Sequence, residues 1–412
     1  MMATPLDTAG PITTDNDDVP AVIPLPEMAA ASSIPIYAGA DTGAFVSTPL
    51  EALDTTPMPI PVDPGTRRGL GNVGNTCYLN SAFQALRFAK PFADLFCDSH
   101  WSKHAHPDRR GYELAAETAS LTKALCKPAE AGIAPTVRMI VPGKFVRAFI
   151  GYAQEINDEI RFGAQADAAE AVGILLDALH TQLSREVVMT VRGEGRTVPT
   201  REYIKSLESW SGFFQKEYSP LVPQFYGQTQ TRVICERCGT ASDRYEPWNM
   251  LKLPIPNADR FGAPAPTLQE CLAANFAPET LDDYACEKCA DRGKARMEHH
   301  ISRYPNYVIL SLKRFTNMGQ KVRARIPYDE SNIDLSTWLA WPTLQDAKDF
   351  HYRVFATVEH MGSTRFGHYV MRARDKGDWL IFDDGAVHPS PIGGGAGPDT
   401  YLLFLERVRT DE

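Results

Sequence analysis

Apolar positions recur at helical spacing in the first half of the chain and alternate in the second. Between residues 76 and 88, Leu79, Ala82, Phe83 and Leu86 fall on one helical face. Segments 113–127 and 141–153 read as further helices. Segment 168–183 is the strongest, with Ala171, Val172, Leu175, Leu176 and Leu179 forming a single stripe. Residues 184–222 are less regular, hold Trp210, Phe213 and Phe214, and read as an insertion with some helix. After Phe225 the period shortens to two. Strands are predicted over 228–234, 307–314, 351–360, 367–374, 379–382 and 401–407. Helices followed by a mostly antiparallel sheet predict an α+β fold. Residues 1–66 show neither period and are rich in Pro, Ala, Thr and Asp, the composition of a disordered tail; pieces such as 21–26 are candidate docking motifs.

Composition changes this picture modestly. With 412 residues and 43% hydrophobic side chains, the chain can bury a large core. The net charge of -9 gives no basic excess for nucleic acid, and residues 1–66 hold nine acidic side chains and no Lys or Arg. The acidity therefore belongs to the tail. No run of 18 apolar residues predicts a membrane span, and the start of the chain does not read as a secretory leader. Of eight cysteines, four fall into two C-x-x-C pairs, a pattern of metal binding in a reducing compartment.

The chemistry centres on Cys77, in Gly69-Leu-Gly-Asn-Val-Gly-Asn-Thr-Cys-Tyr-Leu-Asn80. A glycine turn leads into a helix that starts near Thr76. A thiol in the first turn of a helix sits at the positive end of the macrodipole, which favours the thiolate; an inert buried cysteine is the plainer alternative. Cys97, Cys126 and Cys271 stand among leucines and phenylalanines and read as core packing. A thiol nucleophile needs a histidine base and a third group to orient it. Folding 367–374 onto 379–383 about the turn 375–378 sets Asp383 opposite Val370. His368 and Asp383 then become diagonal neighbours on one face. Asp384 is expected on the other face and ranks second. His360 and His388 are rival bases; His100, His104 and His106 read as surface residues. Backbone N–H groups at the helix start, with the side chain of Asn72 or alternatively Asn75, would supply oxyanion donors.

Cys235-Glu-Arg-Cys238-Gly239 and Cys286-Glu-Lys-Cys289 supply four thiolates, the donor set of a closed structural zinc site. Gly239 suits the tight knuckle that turns two sulfurs to one side.

Taken together, these stretches resemble the ubiquitin-specific protease family. Residues 69–86 resemble its cysteine box; Gly367-His-Tyr-Val with Trp379-Leu-Ile-Phe-Asp-Asp384 resembles its histidine box. Gln165-Ala-Asp-Ala-Ala-Glu170, Phe225-Tyr-Gly-Gln-Thr-Gln230, residues 304–315 and the closing Tyr401-Leu-Leu-Phe-Leu-Glu406 are similar in the same order. The resemblance runs from about 69 to 407. It implies a papain-like cysteine protease fold of helical thumb (about 67–222), zinc-braced fingers (about 223–300) and antiparallel palm (about 301–412). Together these would form a 67–412 catalytic domain behind a 1–66 tail. It implies Cys77 as nucleophile, His368 as base, Asp383 as orienter and Asn72 as oxyanion donor. Gln165, Asp167 and Glu170 would bind the arginine-bearing tail of ubiquitin. The implied reaction is hydrolysis of the bond after the Gly-Gly end of ubiquitin, through a Cys77 thioester. The implied setting is cytoplasmic or nuclear, in a eukaryotic or host cell. Ubiquitin and ubiquitinated proteins are the expected partners, a monomer is expected, and neither nucleic acid nor membrane is. Departures from the family are Ala171 and Val172, which replace an aromatic–aliphatic pair, and the length of 184–222. A silent ubiquitin-binding module and a protease for another ubiquitin-like modifier are the rival readings. A plain zinc-ribbon scaffold leaves the histidine box unexplained.

Overall fold

The computed structural model describes residues 36–37, 67–98, 100–126, 139–191, 197–257, 264–316, 319–345, 347–364, 366–391 and 397–408. The tail expected over 1–66 thus lies almost wholly outside the described residues. Of the glycine-rich stretch 393–397, only Gly397 is among them.

The helical half is built round α1 (Cys77–Phe88), whose residues are buried from Cys77 to Arg87. Helices α2 (Lys90–Cys97), α3 (Tyr112–Cys126), α4 (Gly143–Ala153), α5 (Ala168–Leu183) and α6 (Val198–Phe214) enclose it. Short strands β1 (Ile36–Tyr37), β2 (Gly69–Leu70), β3 (Met139–Ile140) and β4 (Val188–Met189) pair as β1–β4 and β2–β3. Phe83 of α1 lies 6.4 Å from Phe92 and 4.7 Å from Phe145, ring centre to ring centre, so aromatic packing fixes α1 against α2 and α4. Helix α5 starts where the Asp167 carboxylate accepts the Glu170 N–H, a side-chain cap. The stretch read as an insertion contains α6, whose Trp210 and Phe214 belong to the same core as α1. It is an integral wall and not an appendage. Cys97 and Cys126, read from sequence as packing residues, form a disulfide. The C-terminal ends of α2 and α3 lie side by side, with 6.6 Å between the two Cα atoms. The sequence hides this, because the two cysteines are 29 residues apart.

A short helix α7 (Val222–Phe225) leads to β5 (Gly227–Cys235), β6 (Ala241–Trp248) and β7 (Leu251–Leu253), then α8 (Leu268–Asn275), β8 (Glu279–Cys286) and β9 (Asp291–Arg303). Strands run β6-β5-β9-β8 in an antiparallel sheet.

The second sheet follows from β10 (Tyr307–Leu312), β11 (Ile333–Asp334), β12 (His351–Gly362), β13 (Gly367–Asp375), β14 (Asp378–Asp383), β15 (Ala386–Pro389) and β16 (Thr400–Arg407). Its order is β15-β14-β13-β12-β16-β10-β7, antiparallel except for β10–β7, with β11 on β12. Alternation along β16 sends Leu402 and Phe404 into the helical core and Leu403 and Leu405 into a second core on the far face. In β12, Tyr352 and Val354 face the second core, and Ala356 and Val358 the first. The bulge between Val354 and Ala356 marks the change of face. The sheet is thus the shared wall of both cores, and α1 packs on its strands β13 and β12.

Candidate active site

Cys77 is the first residue of α1 and is only 3% exposed. No side chain of Thr76 caps the helix; the turn before it is held by Asn72, whose Oδ1 accepts the N–H groups of Gly74 and Thr76, each at 3.1 Å. Burial pushes the Cys77 thiol up from its ordinary value. Against that, the backbone N–H of Tyr369, and those of Tyr78 and Cys77 itself, reach the sulfur and pull it down, while the charge of Asp384 raises it again. The helix-start thiolate expected from sequence therefore meets opposition from burial in the free protein.

The predicted hairpin forms in the predicted register. Met371 pairs with Phe382 and Arg372 with Ile381, so Val370 falls opposite Asp383 one step further on. His368 Nε2 lies 2.6 Å from Asp383 Oδ1. With Nε2 held by the carboxylate, Nδ1 is the ring nitrogen that remains to accept a proton.

Asp384 departs from expectation. Strand alternation would turn it away, but its φ of 45° lies in the left-handed region. Its carboxylate comes within 4.8 Å of the His368 and Asp383 donor atoms. Its Oδ2 accepts Asn72 Nδ2 at 2.9 Å and its Oδ1 accepts Asn80 Nδ2 at 2.8 Å. Leu70 N–H bonds the Asp384 carbonyl at 2.8 Å. Asp384 therefore ties the palm-side turn to both ends of the cysteine loop. Sequence reasoning overlooked Asn80; the Asp383–Asp384 doublet and the amide of Asn80 inside the cysteine motif were the available signals.

Asn72 keeps one amide hydrogen free of Asp384, whereas Asn75, with φ 57°, gives its amide to the Gly163 carbonyl at 2.7 Å. The rival base His360 is buried at 5% exposure, packs on Phe315 and Tyr369, and is held neutral, its pKa lowered to about 4 by desolvation and nearby Lys321. His388 pairs with Ile381 on β15, on the far side of β14 from β13. Of the three residues expected at the ubiquitin tail, Gln165 bonds both backbone groups of Gly367, at 2.9 and 3.3 Å. Asp167 accepts the Tyr401 hydroxyl at 2.7 Å besides capping α5. Glu170 accepts Asn157 Nδ2 at 2.7 Å.

The four sulfurs of Cys235, Cys238, Cys286 and Cys289 lie within 4.8 Å of one another. Cys238–Cys286 and Cys235–Cys289 are 3.8 and 4.0 Å apart. A tetrahedron with metal–sulfur bonds of about 2.3 Å has sulfur–sulfur edges of about 3.8 Å, so the donor set fits a zinc-sized ion. Two equal knuckles make it: Gly239 N–H bonds Cys235 O at 2.8 Å and Ala290 N–H bonds Cys286 O at 2.9 Å.

Residues 68–404 match the family model described as ubiquitin carboxyl-terminal hydrolase. The chain belongs to that family. Among its relatives, the cattle (Bos taurus) protein named ubiquitin carboxyl-terminal hydrolase 2 is 26% identical over 82% of this chain and 54% of its own length. The mouse (Mus musculus) ubiquitin carboxyl-terminal hydrolase 21 is 25% identical over 83% of this chain and 62% of its own. The chain thus spans little more than half of these relatives. In structure it is similar to the Ubp8-containing SAGA DUB module bound to monoubiquitin, with a TM-score of 0.63 at 19% identity, covering 87% of this chain and 74% of that one. The same module bound to ubiquitin aldehyde gives 0.63 at 18% identity, covering 87% and 73%. These likenesses establish the papain-like fold of helical and sheet lobes. No described helix is long and apolar enough to cross a membrane.

Proposed function

We propose that this chain is a deubiquitinating cysteine protease that hydrolyses the isopeptide or peptide bond after the C-terminal Gly-Gly of ubiquitin. The observation that carries the reading is the run Gly367–Tyr369: His368 bonds Asp383 at 2.6 Å, and the next N–H, of Tyr369, points at the Cys77 sulfur. In this reading the thiol proton passes to His368 Nδ1 and the sulfur attacks the carbonyl carbon of the last glycine. The oxyanion is met by the backbone N–H of Cys77 and the free amide hydrogen of Asn72. The His368 imidazolium returns its proton to the leaving amine, giving a thioester. Water, deprotonated by His368, then attacks the thioester and releases the ubiquitin carboxylate and the thiol. Asp383 keeps the ring oriented and stabilises its charged form.

Asp167 and Glu170 offer carboxylates at the start of α5, and an arginine-bearing peptide entering there would find one acidic oxygen after another. Cys235, Cys238, Cys286 and Cys289 would hold Zn2+; four thiolates leave no open position, so the ion would brace the β5–β9 strands and take no part in the chemistry. Residues 67–222, 223–300 and 301–412 would act as thumb, fingers and palm, within a cytoplasmic or nuclear protein carrying a 1–66 tail.

The test is reaction with a ubiquitin vinyl probe and turnover of a ubiquitin–fluorophore conjugate. A covalent adduct on Cys77 and its loss in Cys77→Ala are expected. Undiminished turnover in Cys77→Ala, or binding without an adduct, overturns the reading. Preference for another modifier in a parallel probe panel overturns the substrate.

A further inference from the structure

Strand β13 is paired with β12 from Gly367 opposite Gly362 to Ala373 opposite Ala356. On its other side, the ladder with β14 begins only at Met371 opposite Phe382. Residues 367–370 therefore present a free edge, and it is here that the chemistry lies. In a strand, residues two apart direct their backbone N–H groups to the same side. Gly367 and Tyr369 are such a pair. Gln165 takes up the first position: its Nε2 donates to the Gly367 carbonyl at 2.9 Å and its Oε1 accepts the Gly367 N–H at 3.3 Å. Helix α1, which begins at Cys77, packs on this strand, and the Tyr369 N–H at the second position draws the thiol pKa down. His368 is the residue between them.

The primary amide of Gln165 offers one donor and one acceptor side by side, as a strand residue does in an antiparallel ladder. Glycine at 367 is required for this packing, because a Cβ there would overlap the His360 ring. Gln165 is anchored in turn. Two residues earlier, the Gly163 carbonyl accepts Asn75 Nδ2 at 2.7 Å, and Asn75 lies two residues before Cys77. Two residues later, Asp167 accepts the Tyr401 hydroxyl. Segment 163–167 thus runs as a strut from the cysteine loop to the histidine strand.

We propose that Gln165 is a positioning residue: its amide closes the free end of β13 like one residue of a neighbouring strand, and so sets the register in which His368 and Tyr369 meet Cys77. This goes beyond contact with a ubiquitin tail, and it rests on the nucleophilic role of Cys77 proposed above. The charged and titratable groups that interact with the thiol are Asp384 on the turn after β14, Tyr78 beside it on α1 and Tyr369 on β13, with His368 the preceding residue of that strand; Gln165 adds no charge and acts through geometry.

Two measurements test it on the full chain. The first is the pH profile of Cys77 alkylation by iodoacetamide, followed by mass spectrometry, in wild type and Gln165→Ala. Losing the register weakens the Tyr369 N–H contact that holds the thiol down, so the profile moves to higher pH. The rate at neutral pH falls about fivefold, the factor of one hydrogen bond. Gln165→Glu is expected to behave like Gln165→Ala, since a carboxylate cannot donate to the Gly367 carbonyl. The second is amide exchange at Gly367, expected to quicken in Gln165→Ala. Because Gln165 is exposed, neither variant threatens the fold. With the ubiquitin–fluorophore substrate, kcat is expected to fall more than KM rises. A wild-type alkylation profile and kcat in Gln165→Ala, or unchanged Gly367 exchange, overturns the proposal. A changed alkylation profile in a protein without ubiquitin turnover overturns the proposed function and leaves the strut standing.

Discussion

His368 Nε2 and Asp383 Oδ1 stand 2.6 Å apart across the end of a hairpin, with 38% and 48% of their side chains exposed. The bond occupies one ring nitrogen, so in the proposed mechanism Asp383 would select the tautomer that offers Nδ1 to the thiol. Asp383→Ala frees the ring to turn and removes the charge that supports the imidazolium. On a ubiquitin–fluorophore substrate, kcat is expected to fall about 10²-fold or more, with KM little changed. A KM effect at constant kcat would reassign Asp383 to substrate binding.

Asp384 acts differently from its neighbour. Its two oxygens hold Asn72 and Asn80 on either side of Cys77, and its charge raises the thiol. Asp384→Asn removes that charge but leaves an amide that can accept from only one of the two asparagines. Two opposed outcomes follow from one substitution. The melting temperature drops by the equivalent of about 1.5 kcal/mol, one hydrogen bond to a charged group. The iodoacetamide profile of Cys77 shifts to lower pH, since a nearby anion no longer disfavours the thiolate. A shift to higher pH would show that the loop geometry outweighs the charge.

These two aspartates also show what the sequence discloses. The helix over 168–183 and the hairpin register that pairs Met371 with Phe382 follow from periodicity and a short turn, because local spacing alone decides them. Asp384 escapes that logic: one residue with φ 45° breaks strand alternation and turns the side chain back into the site. The Cys97–Cys126 bond and the double contact of Gln165 with Gly367 are likewise invisible in one dimension. Each depends on how two separately formed elements come to rest against each other. The buried thiol is a further case. Helix-start placement is read from sequence, whereas the burial that opposes it arises only when helices and sheet close over α1.

One buried and one half-buried histidine predict acid sensitivity. His180, bonded to Ser219 Oγ at 2.8 Å, and His360 are both held neutral by desolvation, each with its pKa lowered from 6.5 to about 4. For such groups the unfolded chain binds protons more readily than the folded one. The stability they provide is fully present above pH 6.5 and is lost as pH falls from there through about 4. The urea midpoint is expected to decline across that window. His180→Phe should lower the midpoint at pH 7, through loss of the Ser219 bond, yet flatten its decline toward pH 4. A decline as steep as that of the wild type would assign the acid sensitivity to other groups.

The paired cysteine knuckles carry a prediction that separates metal binding from catalysis. Both knuckles close with an N–H four residues on from the first cysteine, and both need a left-handed residue there: Gly239 at φ 68° and Ala290 at φ 51°. Glycine takes that conformation without steric cost, whereas alanine is strained in it by about 1 kcal/mol. Ala290 is exposed, so removing its methyl group sacrifices little packing. Ala290→Gly is therefore expected to tighten zinc binding severalfold in a chelator competition and to raise the melting temperature slightly, with kcat unaltered. Cys286→Ser should do the reverse, lowering zinc content and loosening β8 from β9, with KM for ubiquitin rising more than kcat falls. If Ala290→Gly leaves both chelator resistance and stability where they were, the strain at this knuckle is relieved by relaxation of the β8–β9 turn and the two knuckles are not equivalent.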